Sequence, residues 1–212
     1  MSRKKSNISM AVVKRLPKYH RYLRELLLKD VDKISSKDLS KRIGFTASQI
    51  RQDLNCFGDF GQQGYGYNVV DLYEEIGKIL GLNQEYKMVI VGAGNIGQAV
   101  ANYINFEKLG FKIYALFDKN PKLIGLKIRD IEIQDIDNLE TFVKENNIDI
   151  GIICVPKSYA QDVCDKLVSN GVTGIWNFAP IDLKVYEDIV VENVHLSESL
   201  LTLSCLMNGC ES

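Results

Sequence analysis

Residues 87–97, Lys87-Met88-Val89-Ile90-Val91-Gly92-Ala93-Gly94-Asn95-Ile96-Gly97, decide how the rest of the chain is read. A short apolar run enters glycines spaced G-x-G-x-x-G, and Ile96, Val100, Tyr103 and Ile104 then repeat at helical spacing. Strand, glycine turn, helix is the context in which this spacing marks a dinucleotide site; the spacing alone is weak. Gly92 permits the tight turn, Gly94 leaves room for a pyrophosphate, and Gly97 allows helix and strand to pack closely. Ala93, Asn95 and Ile96 complete the turn, and the helix N-terminus that follows favours phosphate charge.

Downstream, Phe111–Phe117 forms a second apolar run ending in Asp118, 21 positions beyond Gly97. A carboxylate there accepts hydrogen bonds from the adenosine ribose and repels a 2′-phosphate, so NAD(H) is expected over NADP(H). Lys119 stands beside it, and the plainer alternative is that Asp118 merely caps the turn at Asn120-Pro121. An amphipathic segment at 138–147, a strand at 148–156, a helix at 158–170 and strands near 174–177 and 189–191 continue the alternation. This predicts an α/β, Rossmann-like, doubly wound parallel sheet. Ligands in such sheets lie beyond the carboxyl ends of the strands, which makes Val155, Pro156, Asn177, Phe178, Ala179 and Pro180 candidate walls of a nicotinamide pocket, or else plain core.

The N-terminal quarter has a different character. Residues 1–51 hold 14 Lys+Arg against 4 Asp+Glu, a balance of +10, while residues 52–212 hold 12 against 23, a balance of −11. Tyr19, Tyr22, Leu23, Leu26 and Leu27 space out a first helix over about 18–28. Ser35-Ser36-Lys37-Asp38 supplies an N-cap candidate and a first-turn acid for a second that stops at Gly44, and Thr46 caps a third in which Ile50 and Leu54 face inward. Ser48, Gln49, Arg51 and Gln52 remain on the outer face, where amide and guanidinium groups suit base edges. Two short helices about a tight turn predict a helix-turn-helix. The run 57–69, FGDFGQQGYGYNV, predicts a hairpin, the wing of a winged helix. The candidate DNA-contacting set is Arg15, Lys37, Thr46, Ser48, Gln49, Arg51, Gln52, Gln63 and Tyr65. A helix over 70–80 and a linker, GLNQEY at 81–86, place the boundaries at 1–81 for the winged helix and 86–195 for the nucleotide domain. Residues 196–212 remain, where Leu196, Leu200, Leu203 and Met207 form an apolar stripe that folds back or is exchanged between subunits of a dimer.

With 212 residues, 46% of them hydrophobic and 25% charged, the chain can bury a sizeable core. The start, MSRKKSNISM, has no apolar signal segment and no run is long enough to cross a bilayer, so a cytoplasmic protein is expected. Five scattered cysteines without C-x-x-C spacing predict reduced thiols and no metal site. A dehydrogenase needs a proton donor beside the nicotinamide and a substrate pocket, and His20 and His195 are poor candidates for the first. The combination reads as a ligand-controlled DNA-binding protein without catalytic residues; the alternative is a small NAD-dependent oxidoreductase.

Several stretches resemble the Rex family of redox-sensing transcriptional repressors over nearly the whole chain: RLPKYHRYLREL (15–26), SSKDLSKRIGFTASQIRQDLNCFGDFG (35–61), GYGYNV (64–69), VGAGNIGQA (91–99), NFAP (177–180) and VENVHL (191–196). The resemblance implies a homodimer with a swapped C-terminal helix that binds operator DNA and is released by NADH, with NAD+ a weak competitor. It implies that Tyr103 is the aromatic beside the nicotinamide and Arg51 a recognition-helix contact. Gln52 and Gln63 stand where the family usually has cations, and His195 where it has an aspartate that pairs with the arginine at position 21. A Rex with altered operator preference, or a relative that binds NADH without ordinary operator binding, are the two readings these departures leave.

Overall fold

The computed structural model describes residues 9–57, 61–62 and 66–209, and the chain divides between Gln84 and Glu85 into two compact units. The first unit runs α1 (Met10–Val13), α2 (Leu16–Leu27), β1 (Lys33–Ile34), α3 (Ser36–Ile43), α4 (Ala47–Asn55), β2 (Gly61–Gln62), β3 (Gly66–Asn68) and α5 (Val69–Ile79). The caps act as their residue types require. Ser35 Oγ accepts from the Asp38 N–H, Thr46 Oγ1 from Gln49 and Asn68 Oδ1 from Asp71, each satisfying a donor that the helix leaves unpaired. Gly44, at φ +73°, ends α3. Tyr19, Leu23, Leu39, Ile43, Ile50, Leu54, Leu72 and Ile76 meet in one core. Each large apolar side chain so buried contributes about 1.5–3 kcal/mol.

The antiparallel order β1-β3-β2 makes the wing's base, with Gly61 opposite Tyr67 and Gln62 opposite Gly66. Gln63 and Tyr65, both expected at DNA, lie outside the described residues.

The second unit runs β4 (Tyr86–Val91), α6 (Asn95–Ala101), a 3-10 turn (Ile104–Leu109), β5 (Phe111–Asp118), β6 (Lys127–Ile128), β7 (Ile131–Asp135), α7 (Leu139–Asn146), β8 (Ile150–Ile153), α8 (Lys157–Ser169), β9 (Gly174–Asn177), β10 (Val190–Asn193) and α9 (Leu196–Met207). The strand order is β10-β9-β8-β4-β5-β7-β6, parallel except for β6. The expectation of a parallel sheet is thus corrected at one edge. The strands at 127–135, which no sequence period announced, make a hairpin turning at Arg129 (φ +56°). The helical spacing expected through Tyr103 and Ile104 is not kept that far: α6 stops at Ala101, and Ile104 begins the 3-10 turn.

Period-two alternation sorts β4 between the two faces. Val89 and Val91 pack with Val143, Ala160 and Leu167 of α7 and α8, whereas Met88 and Ile90 pack with Val100 and Ala101 of α6. After β4 the chain first builds outward through β5 and then returns to the other side through β8. The carboxyl ends of β4 and β8 therefore flank the point where the order reverses, the usual place for a ligand crevice. Among the described residues no helix is long and apolar enough to cross a membrane.

Candidate functional site

At that crevice the glycine turn is shaped by backbone rather than by side chains. Gly92 has φ +100°, and a Cβ there would lie 2.6 Å from the Cys154 carbonyl oxygen. A Cβ on Gly97 would fall on the Gly92 carbonyl oxygen, so helix and strand approach this closely only with glycine. Around Gly94, by contrast, no atom lies within reach of a Cβ, and the space it leaves opens on the crevice. The α6 N-cap, Gly94, supplies no side-chain acceptor, so the first N–H groups of α6 stay available to an anion.

Asp118 closes the turn. Its Oδ2 accepts from the Ala93 N–H at 2.7 Å and its Oδ1 from the Asn120 N–H at 2.8 Å. The turn-capping alternative is therefore present in the structure, and it does not compete with ribose binding. A carboxylate has about four acceptor positions, of which these bonds occupy two. A Gln98 side-chain N–H donates to the Ala93 carbonyl and braces the turn from the helix side.

The resulting cleft has a volume of about 590 Å³. It brings together Gly92, Gly94, Ile96, Asp118, Lys119, Val155, Pro156, Phe178 and Pro180 of the expected set. Six expected residues lie outside this lining: Gly97 packs the turn, Asn95 borders a neighbouring hollow, and the other four are placed as follows. Asn177 is fully buried: its Nδ2 donates to the Ala179 and Ile181 carbonyls and to Asn193 Oδ1, while its Oδ1 accepts from the Ala179 N–H. Asn177 and buried Ala179 thus hold the loop that presents Phe178 and Pro180. Ala93 is also buried, and its part is to donate its N–H to Asp118 within the turn. Tyr103 lines a separate apolar hollow of about 440 Å³ with Phe106, Phe178 and Leu196. Ile96 and Phe178 border both spaces.

Sequence reasoning missed one wall. Tyr159, Asp162, Val163 and Lys166 of α8 line the cleft, and their spacing of three, four and seven residues places them on one helix face. That period was visible, but nothing local says which face of α8 meets a ligand. Cys154 also lines the cleft, where burial pushes its thiol up to about 12 and keeps it protonated and unreactive at neutral pH. Cys205 is disulfide-bonded, which corrects the expectation of reduced thiols at that position.

In the first unit α4 presents Ser48, Arg51 and Gln52 to solvent, with Thr46 and Lys37 exposed nearby and Gln49 half-buried. Arg51 Nη1 donates to Ser36 Oγ at 3.0 Å, joining α4 to the start of α3. Arg15 is placed differently from a free DNA contact. Its Nε and Nη2 fork onto Asp53 at 2.6 and 2.8 Å, and Tyr19 donates to the same carboxylate at 2.7 Å. Burial pulls the Asp53 carboxyl up, but the hydrogen bonds from Arg15 and Tyr19 and the Arg15 charge outweigh it and hold the group below its ordinary value. The Asp53 bonds in turn raise Arg15. This part-buried pair ties α4 to the start of α2, so Arg15 sets the stance of the outward face of α4. His195, in the second unit, has Nε2 3.5 Å from Asp182 Oδ1.

Comparison with known proteins gives the same division of labour. Residues 7–55 match the family model described as a putative DNA-binding protein N-terminus, and residues 83–181 match the one described as a CoA binding domain. A redox-sensing transcriptional repressor Rex of Clostridium tetani is 72% identical over 98% of this chain and 99% of its own. The crystal structure of RSP in complex with β-NAD+ and operator DNA matches with a TM-score of 0.91 at 60% identity, covering 95% of this chain and 93% of that one. RSP in complex with β-NADH matches at 0.87 and 57% identity, covering 96% of each chain.

Proposed function

The chain belongs to the Rex family of redox-sensing transcriptional repressors, and from that membership we propose that it binds operator DNA as a homodimer through α4 and the wing and is released when NADH fills the cleft closed by Asp118. It is a DNA-binding regulator and not an enzyme. The observation that carries this reading is the pairing, in one chain, of an exposed recognition face on α4 with a glycine-turn crevice whose acidic residue already faces the turn. The oxidoreductase alternative has no specific observation in its favour.

In this reading Gly92–Gly97 and the free N–H groups of α6 take the pyrophosphate, and Asp118 takes the adenosine ribose. Val155, Pro156, Phe178 and Pro180 lie toward the nicotinamide, with Tyr103 reaching it from the neighbouring hollow. The cofactor supplies no reaction here. It acts by favouring one dimer arrangement over the other, and the operator then disfavours NADH by the same factor. The homodimer rests on α9, which has no buried residue although it is apolar: Leu200, Leu203 and Met207 are 67, 52 and 78% exposed. An apolar helix this bare is completed by a second copy of the chain, in an exchange of residues 196–212. We place the protein in the cytoplasm, where operator DNA and NADH meet.

An anisotropy titration on a palindromic operator with and without NADH tests the whole reading. Tight binding that NADH weakens is expected; no binding at low salt sinks it. In the same assay Arg51→Ala is expected to weaken operator binding, by about 1–3 kcal/mol if it reads a base or with a salt slope lower by about one if it meets a phosphate. An unchanged isotherm at every salt concentration removes Arg51 from the interface.

Asp118→Ala is expected to weaken NADH binding by on the order of 10- to 100-fold. It removes charge-assisted ribose contacts worth roughly 1.5–3 kcal/mol each, along with the Ala93 tie. Discrimination against NADPH falls with it. Calorimetric titration with both dinucleotides checks this, and equal, tight binding of both by the unaltered protein refutes the ribose assignment.

A further inference from the structure

One contact in the cleft is left unused by the reading above. Lys119 follows Asp118 directly at the end of β5, and a cation beside the ribose acid is the feature that accommodates a 2′-phosphate. In the structure its Nζ is 3.7 Å from the centroid of the Tyr159 ring, which α8 brings to the same cleft. The nearby Lys119 also draws the Tyr159 phenol below its ordinary value, in keeping with that contact. The other cleft lysine is drawn elsewhere: Lys166 Nζ lies 3.6 Å from Glu140 Oε1. Lys119 is therefore the cation whose position decides what the ribose edge of the cleft meets.

We propose that Tyr159 is a specificity-determining residue: by holding the Lys119 ammonium over its ring it keeps that charge off the ribose edge, and so acts with Asp118 to exclude dinucleotides bearing a 2′-phosphate. The proposal rests on the assignment of the cleft to NADH. Asp118 excludes the phosphate by repulsion, whereas Tyr159 withdraws the attraction that would offset it. A cation–π contact at an exposed site is worth about 0.5–1 kcal/mol, so its loss moves the dinucleotide preference by about two- to fivefold. Tyr159 is 45% exposed and Lys119 is exposed, so neither substitution opens the core.

The test is calorimetric titration of the full-length protein, Tyr159→Ala and Tyr159→Ala/Lys119→Ala with NADH, and with NADPH in direct and competition formats. The ratio Kd(NADPH)/Kd(NADH) cancels any general loss of affinity. It is expected to fall about two- to fivefold in Tyr159→Ala and to return to the unaltered value or above in the double variant. A ratio unchanged in Tyr159→Ala overturns the proposal, and NADPH binding below detection in that variant counts as unchanged. So does a fall that persists in the double variant, since Lys119 would then not be its cause. NADH binding by the unaltered protein keeps the two levels apart: its absence overturns the cofactor assignment, while its presence with a flat ratio overturns only the role of Tyr159.

Discussion

Arg15→Ala is expected to destabilise the N-terminal unit by about 3–5 kcal/mol, because it strands a carboxylate whose side chain is 3% exposed with only the Tyr19 hydroxyl as a side-chain partner. A stability of about 5–15 kcal/mol leaves little after such a loss. The pH dependence carries a sign that identifies the cause. In the unaltered protein the Asp53 carboxyl is held below its ordinary value, so the stability it contributes is present above the unfolded-state pKa and is lost as pH falls through the lower folded-state value. Without Arg15 the largest remaining influence is burial, which acts upward and favours the protonated acid. The deficit of Arg15→Ala is therefore expected to shrink in mild acid, where protonation removes the stranded charge. Urea unfolding at neutral and acidic pH, with hydrogen exchange at the α4 amides, measures both effects. A deficit below about 1 kcal/mol, the worth of an exposed pair, would show that the fork on Asp53 does not hold α4. Operator affinity should fall with the stance of α4 while NADH binding by the second unit is retained.

The second large effect is expected at Gly97→Ala. The added methyl would occupy the Gly92 carbonyl oxygen's position, so either β4 and α6 separate or the turn changes shape. Both displace the N–H groups that receive the pyrophosphate, and hydrogen bonds to charged groups are worth about 1.5–3 kcal/mol each. NADH binding should weaken by on the order of 100-fold or more, equivalent to about 2.7 kcal/mol. Operator binding should persist and become insensitive to NADH. Parallel NADH and operator titrations check this, and an NADH affinity within a few-fold of the unaltered protein would show that the turn does not depend on this close approach. Loss of operator binding as well would mean that the damage is not confined to the nucleotide unit.

Much of this architecture was legible in the residues. The caps at Ser35 and Thr46, the stop at Gly44 and the glycine spacing at 92–97 act over three to five positions, and their geometry follows from backbone hydrogen bonding that any context shares. The pair at 127–135 leaves no signature in the residues because a two-residue strand at a sheet edge has no measurable period. Gly61–Gln62 and Gly66–Asn68 were foreseen as a hairpin because glycine and aromatics alternate there. A place at a strand end points Asn177 and Ala179 toward a ligand, whereas the hydrogen bonds that make them loop supports depend on Ile181 and Asn193, which the motif does not include.

By itself the sequence determined the two-part plan: a basic, helix-rich front segment, a glycine bend entering a helix, and an acidic residue at the distance that suits an adenosine ribose. Only the tertiary structure decided that Asp118 reaches back 25 residues to the Ala93 N–H, that Arg15 is joined to Asp53 across 38 residues, and that the Tyr159 face of α8 turns to the cleft. The physical reason is range. Helix caps and turns are set by neighbours within one turn of chain, whereas these contacts exist because strand order and helix packing bring distant residues to within about 3 Å, and no local pattern encodes that order.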